Sequence, residues 1–357
     1  MMAAAAASAE APLTLTATTT GAAESVTIAR MTLRVASRID WGDGTYTEMT
    51  ANDEAPKLHT YAVAGTYRVA VFRVGDVTQV QLDSAKIGGL NTQQLRRSPI
   101  VYFWVTAITG SAIDSADMAG WTPTNWQLRS MPAGTYSIDS ADMAGWTPTY
   151  WRLYSMPAGT YSIDSADMVG WTPTNWLLYS MPAGTYSIDS ADMVGWTPTT
   201  WHLYSMPAGT YSIDSADMVG WTPTYWHLYS MPAGTYSIDS ADMAGWTPTY
   251  WRLYSMPAAG SSYTFGAAIM RNWTSAASIA CQDLALLVGV VDAILLDIYT
   301  GRAGYTNAAP VLNVGGSNAA PSGVYQDAAP PTTGLEYKYK LVVDPDAEGF
   351  NKWAITS

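Results

Sequence analysis

The sequence predicts a mainly β fold, in which a small β-sandwich leads into a solenoid of short repeats and a small α+β cap. Three observations carry this. A 25-residue unit, I-D-S-A-D-M-x-G-W-T-P-T-x-W-x-L-x-S-M-P-A-G-T-Y-S, runs six times, from Ile113, Ile138, Ile163, Ile188, Ile213 and Ile238. Apolar residues alternate within it at the period of a strand, while its Gly and Pro residues exclude a helix. The chain has 16 Trp, 23 Tyr and 17 Met against 4 Phe, the skew left by one motif copied many times.

Composition narrows the function classes. Of 357 residues, 48% are hydrophobic and 13% charged, which favours an ordered chain. A net charge of −12 argues against a nucleic-acid backbone binder, which needs Lys and Arg to displace counterions. The single cysteine, Cys281, excludes an internal disulfide framework, and three histidines leave little for metal or acid–base chemistry. Residues 1–12 form an alanine-rich tail without the basic and leucine-rich segments of a Sec signal peptide. The most apolar run, Leu284 to Leu296, is broken by Asp292 and too short to span a bilayer, so no membrane insertion is expected.

Residues 13–78 read as the sandwich. Asp43-Gly44 is a hairpin-turn signal, and Tyr67, Val69 and Val71 alternate as a half-buried strand. The pair Trp41-Gly-Asp-Gly44 and His59-Thr-Tyr-x-x-x-Gly-Thr-Tyr67-x-Val69 resembles the PKD-like immunoglobulin-type domain of microbial surface proteins. That resemblance implies a spacer or adhesion module, with Asp40, Asp43 and His59 serving turns and packing rather than catalysis.

Residues 79–112 are an irregular first coil, in which Leu82-Asp-Ser-Ala-Lys-Ile-Gly-Gly-Leu90 and Leu95 are matched to Ile138–Trp146 and Trp151. Residues 113–262 are the six clean repeats. In the first, Trp126 and Leu128 point one way and Asn125, Gln127 and Arg129 the other, and a second short strand runs through Tyr136 and Ile138. One unit cannot bury its own Trp, Met, Leu and Ile, so stacked copies must do so in continuous ladders. Pro123-x-x-Trp126-x-Leu128-x-x-Met131 sits in the frame of a leucine-rich-repeat strand. The array therefore resembles the helix-poor leucine-rich-repeat-like arrays of bacterial surface and phage virion proteins. Met131 replaces that family's Asn or Cys, so its hydrogen-bonded ladder does not carry over.

Variation among the copies is confined. Apart from an Ala/Val exchange at Ala119, only the three positions alternating with Trp126 and Leu128 change. They supply Tyr150, Arg152, Tyr154, Tyr179, His202, Tyr204, His227, Tyr229, Tyr250, Arg252 and Tyr254, which are taken as a partner-binding face. Free drift on an exposed strand is the competing reading, but drift would also yield Lys, Glu and Ser. Tyrosine gives large contact area at low rotamer cost. The paired aspartates, Asp114 and Asp117 in the first copy, recur in every copy and are read first as capped turns, with a calcium column as the second reading. His202 and His227 lie in one column, and two ligands without a third make a poor metal site.

Residues 263–357 read as the cap. Thr274 or Ser275 would start a helix running to Tyr299, with Leu284, Leu287, Val291, Ile294 and Ile298 as its apolar stripe, Cys281 buried on it and Gly301 closing it. Short strands are expected at Val311–Val314, Tyr337–Val343 and Trp353–Ile355. The string from Asn318 through Gly349-Phe-Asn-Lys-Trp353 resembles a terminal module of phage and environmental repeat proteins. No catalytic set can be assembled, and the expectation is a non-enzymatic protein without a cofactor. It would act on a virion or extracellular surface and recognise a host glycan or protein. Self-assembly into a fibre or lattice is the alternative, and a carbohydrate-active enzyme comes third.

Overall fold

The computed structural model describes residues 11–265, 268–343 and 352–357. Met1–Glu10 of the tail, and Gly349, Phe350 and Asn351 of the C-terminal string, lie outside the described residues. The chain is mainly β, with an antiparallel sandwich, a long run of short repeating strand–turn units and a short α+β region at the C-terminal end. It divides into two compact units, one ending at Ile163 and the other beginning at Asp164.

In the first unit, Leu13–Thr19 pairs antiparallel with Gly65–Val71 over seven residues, and Ser37–Asp40 and Tyr46–Met49 extend that sheet. Glu24–Ile28 and Lys57–Tyr61 form a separate antiparallel pair. Alternation buries Leu13, Leu15, Ala17, Ile39, Val69 and Val71 completely. The Trp-Gly-Asp-Gly and His-Thr-Tyr segments pack on one another. Trp41 stacks on His59 at 4.9 Å and Tyr61 on Tyr67 at 4.0 Å, while the Tyr61 hydroxyl donates to the Trp41 carbonyl at 2.9 Å. Asp43 accepts from the Thr45 N–H at 3.0 Å and lies 2.8 Å from His59 Nε2. These residues serve turns and packing.

Beyond the sandwich, Val77–Leu82, Tyr102–Thr106, Asn125–Arg129 and Tyr150–Tyr154 stack parallel and in register. Val80, Phe103, Trp126 and Trp151 form one fully buried column, and Leu82, Val105, Leu128 and Leu153 the next. Sandwich strand Arg30–Leu33 pairs antiparallel with Val77–Leu82, so sandwich and coils share a sheet.

The register of the first coil differs from the sequence match. Leu82 sits in the Leu128 column, not the Ile138 column, and Asn91–Leu95 takes the place of Asp114–Met118. Asn91 Oδ1 accepts from the Gln93 N–H at 2.9 Å, as Asp114 Oδ1 does from Ala116 at 3.1 Å. Strand pairing sets this register: Val80 and Leu82 fall beside Phe103 and Val105, and the Asp83-Ser84 likeness to the repeat makes no turn of the Asp114 kind.

In the second unit, Asn175–Tyr179, Thr200–Tyr204, Tyr225–Tyr229 and Tyr250–Tyr254 are parallel and in register. A second ladder joins Thr185–Asp189, Thr210–Asp214, Thr235–Asp239 and Ser261–Thr264. Inside, Trp176, Trp201, Trp226 and Trp251 stack at centroid spacings of 5.8, 5.7 and 5.5 Å. Trp196, Trp221 and Trp246 lean on them at 59–62°. Glycine is obligatory where coils approach most closely: a Cβ on Gly209 would lie 2.7 Å from the Tyr186 carbonyl oxygen.

Two C-terminal expectations are corrected. The helix α1 covers Val288–Gly301 only, and Ser278–Ala280 is instead a strand in register with Tyr250-Trp251-Arg252. The main sheet therefore continues through Ser278–Ala280, Val311–Asn313 and Ala354–Thr356 rather than ending under a helical lid. Leu284, Val291, Ile294 and Ile298 are buried as expected, but Leu287 is 74% exposed. Cys281 precedes the helix and is fully buried, which pushes its thiol up to about 12. Residues Gly334–Val343 form a second helix, α2, where a strand was expected at Tyr337–Val343. Glu336 explains it: its Oε2 accepts from the N–H groups of Thr332 and Thr333 at 2.8 and 3.1 Å, the acidic half of a capping box. Those bonds, the Thr332 backbone foremost, lower the Glu336 carboxyl to about 2.

Candidate functional site

The variable positions all lie on the outward side of the Trp-Leu strands, where the pleat must put them once Trp and Leu face the core. In the second unit they form columns. Tyr179, Tyr204, Tyr229 and Tyr254 stack at 4.2, 4.2 and 4.3 Å, with ring planes within 15°. His202 and His227 stack at 4.1 Å and 6°, and Tyr225 and Tyr250 at 5.3 Å and 8°. Arg252 lies over the Tyr250 ring at 5.7 Å.

This packing changes what the face offers. Strands about 4.8 Å apart press identical rings face to face. The ring faces are therefore spent on neighbouring coils, and the surface shows ring edges and hydroxyls. His227 is 8% exposed and Tyr225 only 39%. Burial, with His202 and Arg252 nearby, lowers the His227 imidazole to about 2, so it is neutral in the fold. Burial and the adjoining Tyr179 and Tyr229 hydroxyls raise Tyr204, and Tyr254 is raised to about 12.

In the first unit the face is mixed. Tyr150, Arg152 and Tyr154 stand beside Asn125, Gln127 and Arg129, which in turn stand beside Tyr102, Trp104 and Thr106 of the irregular coil. Arg129 donates to the Tyr154 hydroxyl at 3.0 Å and lies over the Trp104 ring at 5.6 Å. Arg152 lies over the Tyr150 ring at 5.3 Å. Trp104 lies in the irregular coil, outside the clean copies, and so is not among the expected face residues. Its signal was the alternation of Tyr102, Trp104 and Thr106 with Phe103 and Val105.

The aspartate columns are structural. Asp189, Asp214 and Asp239 each cap a 3-10 turn, accepting from the N–H two residues on at 2.8–3.0 Å. Their partners Asp192, Asp217 and Asp242 accept 2.6 Å bonds from Ser165, Ser190 and Ser215 one coil back. The same serine oxygens accept the N–H of Asp189, Asp214 and Asp239 at 2.8 Å. This Ser–Asp ladder, with its serines buried, ties each coil to the one before it. The Asp oxygens are thus engaged by capping and by serine, which favours the turn reading over the calcium one. Among the described residues no group of three or more His, Cys, Asp and Glu could hold a metal ion. No described helix is long and apolar enough to cross a membrane. No family model, no curated protein and no solved structure matches the chain.

Proposed function

We propose that the chain is a non-enzymatic recognition protein of a virion or cell surface, in which the outward face of the Trp-Leu strands binds a host glycan or protein. The observation that carries the reading is the placement of variation. Copies identical at core and turn positions differ almost only on the outward side of the Trp-Leu strands, where Tyr, His and Arg predominate over Asn, Gln, Thr and Leu. The stacked columns present a row of tyrosine hydroxyls held at the coil spacing, a rigid display with little entropy left to lose on binding. The repeat frame and the sandwich motif, through their likeness to surface and virion proteins, agree with that setting.

Replacing Tyr204 and Tyr229 with Ser tests it. Attachment to cells or glycan should weaken by about 1–2 kcal/mol per hot-spot ring, while the fold persists on its Trp and Ser–Asp ladders. If the partner is another copy of the chain, the same variant converts assemblies to monomers in light scattering. A double variant that attaches and assembles as before refutes the reading.

A further inference from the structure

The outward face is closed by stacked rings along most of the second unit, but in the first unit it holds a cavity. Its volume is about 280 Å³, and Trp104, Asn125, Trp126, Gln127, Tyr150 and Arg152 line it. Gln127 is its buried amide. It is 3% exposed, its Oε1 accepts from Arg152 Nη1 at 3.2 Å, and its Nε2 has no hydrogen-bond partner. Turning the amide round would set donor against donor at the guanidinium, so the orientation is fixed. A buried donor left bare costs about 1–3 kcal/mol, and the Trp126 indole N–H, which lines the same cavity, is bare as well.

The surroundings say what would satisfy it. Trp104 and Tyr150 give aromatic walls. Arg152 lines the cavity, and Arg129 lies against the Trp104 ring at 5.6 Å. Two guanidinium groups here stand out in a chain of net charge −12. Gln127 Nε2 and the guanidinium are donors, so the matching ligand group is an acceptor, and beside Arg it is best anionic. The volume is just below the roughly 300–1,000 Å³ of drug-sized sites, which suits one ring. We propose that this cavity binds the carboxylate-bearing ring of an acidic saccharide, an inference that rests on the recognition reading above and supplies its ligand class. The carboxylate would accept from Arg152, which Gln127 Oε1 holds in place, and from Gln127 Nε2 once it displaces the side chains that cover that nitrogen; the C–H face of the sugar would pack on the aromatic walls, and Asn125 would pair with a hydroxyl. A Glu or Asp side chain of a protein partner offers the carboxylate but no ring to fill the space.

Calorimetry on the full chain tests this. The probe is an oligosaccharide alternating glucuronic acid and N-acetylglucosamine, with the neutral N-acetylglucosamine oligomer and a glutamate-rich peptide as controls. The acidic oligosaccharide should bind in preference to both. Gln127→Leu should weaken it about tenfold, one hydrogen bond to a charged group, with an unchanged or higher Tm because the bare donor is gone. Arg152→Met should abolish the preference for acidic over neutral sugar. No binding, equal binding of the neutral oligomer, or an unaffected Gln127→Leu variant overturns the proposal, and so does competition by the peptide, which would mark an acidic protein partner. Tyr204→Ser/Tyr229→Ser should leave this affinity intact. Failure of the cavity and failure of the tyrosine face are therefore read separately.

Discussion

Single side chains in this fold carry conformational and ionisation costs that can be measured one at a time. Ser205 adopts φ 50°, as do its equivalents Ser180 and Ser230. A non-glycine residue is uncommon in that left-handed region, so Ser205→Gly should raise stability or leave it unchanged, by up to about 1 kcal/mol, in a denaturant titration. His227 offers a pH test. Its imidazole is held neutral in the fold, with a pKa of about 2, by burial first and then by His202 and Arg252, and it also meets the Tyr204 and Tyr229 rings. The unfolded chain binds that proton below the ordinary histidine range, so stability should fall as pH drops from about 6.5, by at most about 1.4 kcal/mol per unit. His227→Gln should flatten this acid limb in thermal melts; an unchanged slope would mean that other groups carry it.

Among the elements, the Ser–Asp ladder makes the sharpest contrast. Ser215 Oγ donates to Asp242 and accepts from the Asp239 N–H, whereas Ser240, one coil later, is buried with no partner for its hydroxyl. The next copy has degraded after Ala258, and the Ile-Asp-Ser-Ala-Asp motif does not recur there. Ser215→Ala should therefore cost about 1–3 kcal/mol by stranding two half-buried partners, while Ser240→Ala should be neutral or stabilising. Equal losses at both sites would show that the bonds contribute nothing beyond packing. The repeated strands and turns were legible in the sequence because Trp, Leu, Gly and Pro recur at the same offsets six times. The ladder was half legible: Asp capping followed from Asx-turn chemistry, but a serine reaching back one coil is a relation between copies. Alternation also told which side chains point outward, not that rings at coil spacing would cover one another. At the C-terminal end, pairing with Tyr250-Trp251-Arg252 claimed Ser278–Ala280 from the expected helix. The Thr333-x-x-Glu336 cap was visible but lost behind the alternating apolar residues of Tyr337–Leu341.

For the molecule as a whole, the open question is how the last coil of the second unit is kept dry. Trp251 meets Phe265 edge-on at 5.8 Å and Trp273 at 5.5 Å, and Ile279 pairs in register beyond it. A chain ending after Ser262 strips that cover from a fully buried indole. It should aggregate or melt without cooperativity in calorimetry, whereas a soluble truncation with the same Tm would show that the C-terminal segment folds independently. The in-register stack has a further consequence. Each junction between the clean coils of the second unit is built from the same contacts, so a coil can be removed by cutting 25 residues without creating a new kind of junction. Deleting residues 189–213 should leave a folded protein with the same ends, one rung shorter. The repeat then behaves as a ruler, and the length of the displayed surface is set by copy number, a quantity that changes only in whole steps of one coil.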